Sequence, residues 1–204
     1  MSTILVSGVT NRAGKTTVLQ ALKTYWHRHC SEQTVSCLTI PEMESVNPGE
    51  EHNLAELWQL LSQHQFDHDR VILEGAGSLG TPVTFDTTVA ALARDWRLPT
   101  LLVVPVEWDA IAPAVATVAL ARQTCLDLIG IVLNHRPSFH APERHPTEVD
   151  SAVPPSQVND DDMIDLLRSL TQVPIIGVIP LLENPHDEEQ LIQSASNLAL
   201  ERLL

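Results

Sequence analysis

The residues Gly8-Val9-Thr10-Asn11-Arg12-Ala13-Gly14-Lys15-Thr16-Thr17 join two segments of different periodicity. Before them, Thr3 to Ser7 is a short apolar run that reads as a buried strand. After them, the stretch from Lys15 puts Val18, Leu19, Leu22 and Trp26 on one helical face. A glycine-rich turn from strand into helix is the setting of a phosphate-binding loop, so a strand and a helix must lie side by side here. Gly8 stands one residue further from Gly14 than in the commonest spelling of that motif. Gly14 lets the backbone pass close to phosphate oxygens, and the N–H groups of Ala13, Gly14, Lys15, Thr16 and Thr17 face them from a helix N-terminus. Lys15 supplies a point charge at the outer phosphates, the Thr16 hydroxyl is placed for Mg²⁺, and Thr17 reaches the innermost phosphate. The expected ligand is ATP with Mg²⁺.

The remaining segments alternate. Thr34 to Ile40 reads as a strand closed by Pro41, and His52 to Gln65 as a helix. Val71 to Leu73 is a strand ending in Glu74-Gly75-Ala76-Gly77, and Thr87 to Trp96 a helix. Thr100 to Val106 and Leu128 to Leu133 are strands apolar on both faces, separated by an Ala/Val-rich helix from Ala110 to Cys125. Residues 136–157 break the rhythm with five prolines and are expected to form a mobile insertion. Asp160 to Leu170, opened by aspartates that suit a helix N-terminus, is a helix. Val173 to Ile179 is a final strand and Asp187 to Leu204 a closing helix. The predicted fold is one α/β domain spanning residues 1–204, a doubly wound, mainly parallel sheet of the P-loop NTPase type with helices on both faces. Ligands of such sheets bind beyond the carboxyl ends of the strands.

Glu74, at one of those ends, is the carboxylate for Mg²⁺, and the small residues Gly75, Ala76 and Gly77 let backbone N–H groups face an anion. Glu42, Glu44 and Asp109 also fall near strand ends and read as solvated. His135, His140 and His145 bracket the proline-rich run in no compact ligand spacing. The formal charge of −14 opposes binding to nucleic acid or an anionic membrane. Cys30, Cys37 and Cys125 form no CxxC pair, the start MSTILVSG lacks a basic stretch, and no apolar run is long enough to span a bilayer. A cytoplasmic location is expected.

These residues resemble the dethiobiotin synthetase family. The phosphate loop has that family's first glycine, five residues and Gly-Lys-Thr, and Glu74 to Gly77 resembles its Glu-Gly-Ala-Gly. Leu98-Pro99-Thr100-Leu101-Leu102-Val103-Val104 resembles its next strand, Gly130 to Asn134 the strand whose terminal asparagine reads adenine, and Pro174 to Asn184 its adenine wall. Asn197-Leu198-Ala199-Leu200 resembles its C-terminal helix. The resemblance implies a homodimer with active sites near the subunit interface. It also implies a reaction in which diaminopelargonate is carbamated by CO₂, the carbamate takes the γ-phosphoryl group of ATP, and ring closure gives a cyclic urea. Carried over by position, Lys15 and Thr16 hold phosphates and Mg²⁺, Glu74 holds Mg²⁺, and Asn134 with Pro180, Leu181 and Leu182 holds adenine.

The sequence departs from the family where the diamine binds. A Lys-Pro pair closes the family's second strand, but here Ile40 precedes Pro41, beside what would be the γ-phosphate. The family's next carboxylate falls near Asn53, with Glu51 as a stand-in. Its Asp-Thr-Glu in the loop is Thr10-Asn11-Arg12. Lys15 and Arg12 are therefore the candidate catalytic cations, Arg12 as an anion-binding group away from the missing lysine's position. Two readings result: an ATP-dependent cyclo-ligase acting on a small molecule, or a nucleotide-dependent switch that binds a partner. A related class of P-loop ATPases that dimerises around ATP carries a lysine early in the loop, where this chain has Thr10.

Overall fold

A computed structural model describes residues 2–41, 53–137 and 159–203. The strands are β1 (Ser2–Gly8), β2 (Val35–Thr39), β3 (Arg70–Ser78), β4 (Thr100–Pro105), β5 (Leu128–Asn134) and β6 (Ile175–Ile179). The helices are α1 (Lys15–His29), α2 (Leu54–Asp67), α3 (Val89–Asp95), α4 (Ile111–Gln123), α5 (Asp160–Thr171) and α6 (Glu188–Ser196). The strands pair in the order β2-β3-β1-β4-β5-β6, all parallel. This is the expected doubly wound sheet.

Strand periodicity explains the layering. Ile4 and Val6 of β1 face the same side as Ile72, Leu101, Val103 and Val132, and there they meet Val18, Leu22 and Trp26 of α1 and Leu191 and Ala195 of α6. Leu5 faces the other way with Val71 and Leu73, against Leu61 of α2 and Ala90 and Ala93 of α3. Leu102, Val104, Ile131 and Leu133 continue that second face beneath α4 and α5. Every residue of β4 is buried, which is why its sequence shows no alternation. From β1 the chain moves outward to β2 on one side, while β4, β5 and β6 build outward on the other. The end of β1 thus stands at the topological switch point, where the crevice of an open α/β sheet forms.

Four helices begin on a side-chain cap: Asn53 for α2, Thr88 for α3, Asn159 for α5 and Asp187 for α6. Such caps satisfy the amides that a first helical turn leaves over. α1 begins instead at Gly14, with no side-chain cap and no acid in its first turn.

Most boundaries fall within about two residues of expectation, but two differ by more. β3 does not stop at Leu73 but runs on to Ser78, because Gly75 and Ala76 are small enough to stay packed beside β1 and α3. The closing helix ends at Ser196 rather than reaching Leu204. The chain there turns onto β6, where Ala199 N–H donates to Ile176 O at 2.8 Å, and Leu198 and Leu203 are buried. A short 3-10 turn, Leu200–Arg202, follows.

Leu22 is fully buried between α1 and the sheet beneath the phosphate loop. Leu22→Ala is expected to cost about 2–5 kcal/mol of stability, read from the urea midpoint with an unchanged slope. A cost below about 0.5 kcal/mol, the range of an ordinary surface substitution, would place Leu22 outside the core.

Candidate functional site

At the carboxyl ends of β1, β3 and β5 lies a cleft of about 420 Å³. Its walls are Asn11, Arg12 and Gly14 to Thr17 of the loop, then Glu74, then His135, Arg136 and Pro137 with Asn134. Leu181, Leu182, Glu183 and Pro185 close it from beyond β6. Of the residues singled out in the sequence, Arg12, Gly14, Lys15, Thr16, Thr17, Glu74, Asn134, Leu181 and Leu182 meet here. Gly8, Ala13, Gly75, Ala76, Gly77 and Pro180 do not form the wall.

Each of those outside has a geometric reason. A Cβ on Gly8 would stand 2.7 Å from Thr10 O and 2.8 Å from the Ala13 Cβ, so Gly8 lets the loop fold back on its own strand. Ala13 is wholly buried beneath that fold. Gly75 and Ala76 remain in β3, where the strand is buried. Gly77 has φ +48°, and a side chain on it would overlap the Asn11 and Thr81 side-chain oxygens. Glycine at 77 thus lets the Asn11 side chain approach β3. Pro180 is exposed just after β6.

Within the cleft the polar groups are already organised. The Lys15 side chain is almost buried at 7% exposure, and its ammonium donates to Asn11 O at 3.2 Å. The Thr16 hydroxyl donates to Glu74 Oε1 at 2.6 Å, joining α1 to β3. Asn134 is 1% exposed; its Nδ2 donates to Ala13 O at 3.1 Å, while its Oδ1 is buried with no hydrogen-bond partner. Gly14 has φ +90°, and a Cβ there would run into the Asn134 amide. Glycine at 14 is therefore required twice, by backbone conformation and by the asparagine pressed against it.

Sequence reasoning missed Arg136 and Glu107. Arg136 fell at the start of the proline-rich run, whose composition gave no sign that its first residues pack. In the structure Arg136 Nε donates to Glu107 Oε1 at 2.7 Å and Nη2 to Oε2 at 2.6 Å, while Nη1 donates to Arg12 O at 2.8 Å. The hydrogen bonds to Glu107 hold the Arg136 guanidinium even more firmly protonated than usual. His135 Nε2 lies 2.8 Å from Asp160 Oδ1, joining the end of β5 to the start of α5. The rest of the insertion, with His140 and His145, lies outside the described residues, as do Glu42, Glu44 and Glu51.

Ile40 requires a correction. Its backbone is beside the site, with its N–H donating to Glu74 O at 2.8 Å. The side chain, however, turns away into the core with Leu61, Leu73 and Leu5, at 2% exposure. Strand alternation puts position 40 on the same face as Leu38. Asn53 is a helix cap, its Oδ1 accepting from Ala55 N–H at 3.1 Å and Glu56 N–H at 3.4 Å, and it does not line the cleft. Asp109 is exposed and also outside the cleft.

The residues present fit a nucleotide with a divalent cation. The amides at the start of α1 lack a side-chain acceptor, and the dipole there favours an anion. Among the described residues no three His, Cys, Asp or Glu side chains cluster as a metal site. The Thr16–Glu74 oxygen pair suits Mg²⁺, which takes few protein ligands and completes its shell with phosphate oxygens and water.

Comparison with known proteins shows the family. A family model described as an AAA domain matches residues 27–189, starting after the phosphate loop. The ATP-dependent dethiobiotin synthetase BioD of Crocosphaera subtropica is 36% identical over the whole of both chains. That of Synechocystis is 32% identical, covering 98% of this chain and 94% of its own. Among solved structures, a ParA family ATPase from Chlorobium tepidum superposes with a TM-score of 0.58 at 10% identity, over 97% of this chain and 99% of that one. The MinC:MinD cell division complex of Aquifex aeolicus gives 0.57 at 14% identity, over 95% and 86%. At those identities the structural likeness shows the fold alone. The full-length identity to the synthetases shows more: this chain, with its phosphate loop, Glu74 and Asn134 in one cleft, belongs to the dethiobiotin synthetase family.

Proposed function

We propose that the protein is an ATP- and Mg²⁺-dependent cyclo-ligase of the dethiobiotin synthetase type, with an altered diamine pocket. The observation that carries this reading is the convergence on one cleft of an uncapped helix N-terminus, a nearly buried lysine and the Thr16–Glu74 pair. Family membership supplies the reaction class, in which a carbamate formed from a diamine and CO₂ takes a phosphoryl group and closes to a cyclic urea.

The chain's own groups then have distinct tasks. The amides of residues 14 to 17 hold phosphate oxygens, the Ala13 N–H being taken by Thr10 O, and the Lys15 ammonium balances charge at the outer phosphates. Thr16 and Glu74 hold Mg²⁺, which supplies charge neutralisation on the transferring group. Asn134 presents an amide that can pair with the N6 and N7 edge of adenine, and Leu181 and Leu182 line the same cleft. Its buried, unpartnered Oδ1 supports that role, since a buried acceptor without a donor is costly. The diamine side lacks the family's lysine, and Ile40 faces the core. Arg12, exposed on the cleft wall, is the cation nearest to taking an anionic carbamate.

A homodimer belongs to the same proposal. An apolar face formed by Trp108, Ile111, Val115 and Ala119 on the α4 side and Leu166 and Leu170 on α5 carries no charged side chain. Trp108 and Leu170 are each about half exposed, at 48% and 49%. No helix among the described residues is long and apolar enough to cross a membrane. A cytoplasmic location follows the family.

Two outcomes test the proposal. With ATP, bicarbonate and diaminopelargonate, mass spectrometry should detect dethiobiotin, at a turnover below about 1 s⁻¹, the lower end of the common enzyme range. Lys15→Ala should remove both product and most ATP affinity; unaltered affinity in that variant would exclude the loop as the site. Absence of product with intact ATP binding would leave the switch reading in its place. In sedimentation, the protein should run as a dimer and Ala116→Asp, on the exposed face of α4, should shift it to monomer. A monomeric wild type at micromolar concentration would contradict the assembly.

A further inference from the structure

The phosphate loop is one residue longer than usual, and its outer limb, with Asn11 and Arg12 exposed, has little core to rest on. One internal hydrogen bond and one to β4 hold part of it: Ala13 N–H donates to Thr10 O at 3.2 Å, and Val9 N–H to Val103 O of β4 at 3.1 Å. The two carbonyls that follow each other along the limb, Arg12 O and Ala13 O, are held from outside. Both donors come from the end of β5, Arg136 Nη1 and Asn134 Nδ2.

A trans peptide is planar, so fixing a carbonyl fixes the following N–H in the opposite direction. Holding Ala13 O toward Asn134 turns the Gly14 N–H to the other side, where the loop receives phosphate. Holding Arg12 O toward Arg136 leaves the Ala13 N–H on Thr10 O. The limb cannot twist without breaking one of these bonds.

Arginine is suited to this position because its donors lie in one plane. One edge of the guanidinium is taken by both oxygens of Glu107, and that pairing aims the remaining Nη1 at Arg12 O. Glu107 is itself placed by the end of β4, where Val106 N–H donates to Asn134 O at 3.1 Å. The pair is only 22% and 24% exposed, so salt screens it less than a surface pair. Its charges cancel locally, which separates Arg136 from a group that simply attracts phosphate.

We propose that Arg136, aimed by Glu107, is a positioning residue that sets the outer limb of the phosphate loop for nucleotide binding. The proposal rests on the cleft being the nucleotide site, and nucleotide phosphates are the ligand it concerns.

Calorimetry on the full chain tests it with MgATP, MgADP and adenosine as separate probes. Arg136→Ala should weaken MgATP and MgADP about tenfold each, the size of one lost hydrogen bond to a charged group. Adenosine, which makes no phosphate contact, should be unaffected, whereas a merely structural defect would weaken all three. Glu107→Gln should act in the same direction, and the double variant should be no worse than Arg136→Ala alone. Arg136→Lys, which keeps the charge but lacks the fork, should not restore affinity, and it carries the test if the alanine variant fails to fold. Full restoration by lysine, additive losses in the double variant, or equal weakening of adenosine would each overturn the proposal. A wild type that binds no nucleotide would instead reject the site itself, and unchanged MgATP affinity in Arg136→Ala would reject only the role of Arg136.

Discussion

Gly14 and the amide of Asn134 are packed so closely that no side chain could stand between them. That contact joins the loop after β1 to the end of β5, two strands that are not neighbours in the sheet. Three consequences depend on it. It holds Ala13 O through Asn134 Nδ2, it leaves α1 starting on a glycine in the left-handed region without a side-chain cap, and it puts the Asn134 amide beside the loop in the cleft. The parallel sheet is what brings these ends together, because every strand delivers its carboxyl end to the same edge.

Much of the architecture was legible because its causes are local. The fully buried strands β4 and β5 appear as apolar runs, and the Gly-Lys-Thr turn announces the start of α1. What escaped the sequence was non-local. Nothing near Glu74 says that β3 should continue to Ser78, since that depends on Gly75 packing against Leu5 and Val89. The early end of α6 depends on β6, through the hydrogen bond from Ala199 to Ile176. Arg136 sits in a segment whose prolines suggest a loop, and only the fold brings Glu107, just beyond β4, to meet it.

The two halves of the cleft differ in how far the family's chemistry carries over. On the nucleotide side, the loop, Glu74, Asn134 and the Leu181–Leu182 wall are all in place. On the diamine side, Ile40 contributes packing to the core in the family's lysine position, and Asn53 caps α2. A lysine at 40 would have to leave that apolar cluster or bury its charge within it, at a cost of several kcal/mol. As β2 packs here, position 40 points into the core, and the cations that line the cleft are Arg12, Lys15 and Arg136.

Hydrogen exchange of the backbone amides, with and without MgATP, tests the central claim most directly. The account predicts that nucleotide slows exchange at residues 14 to 17, the amides at the start of α1 that lack a side-chain acceptor, with smaller effects at 134 to 137 and 181 to 185. The amides of side-chain-capped α2, away from the cleft, should not change. Protection spread evenly over the protein, or none at residues 14 to 17 under saturating MgATP, would contradict it.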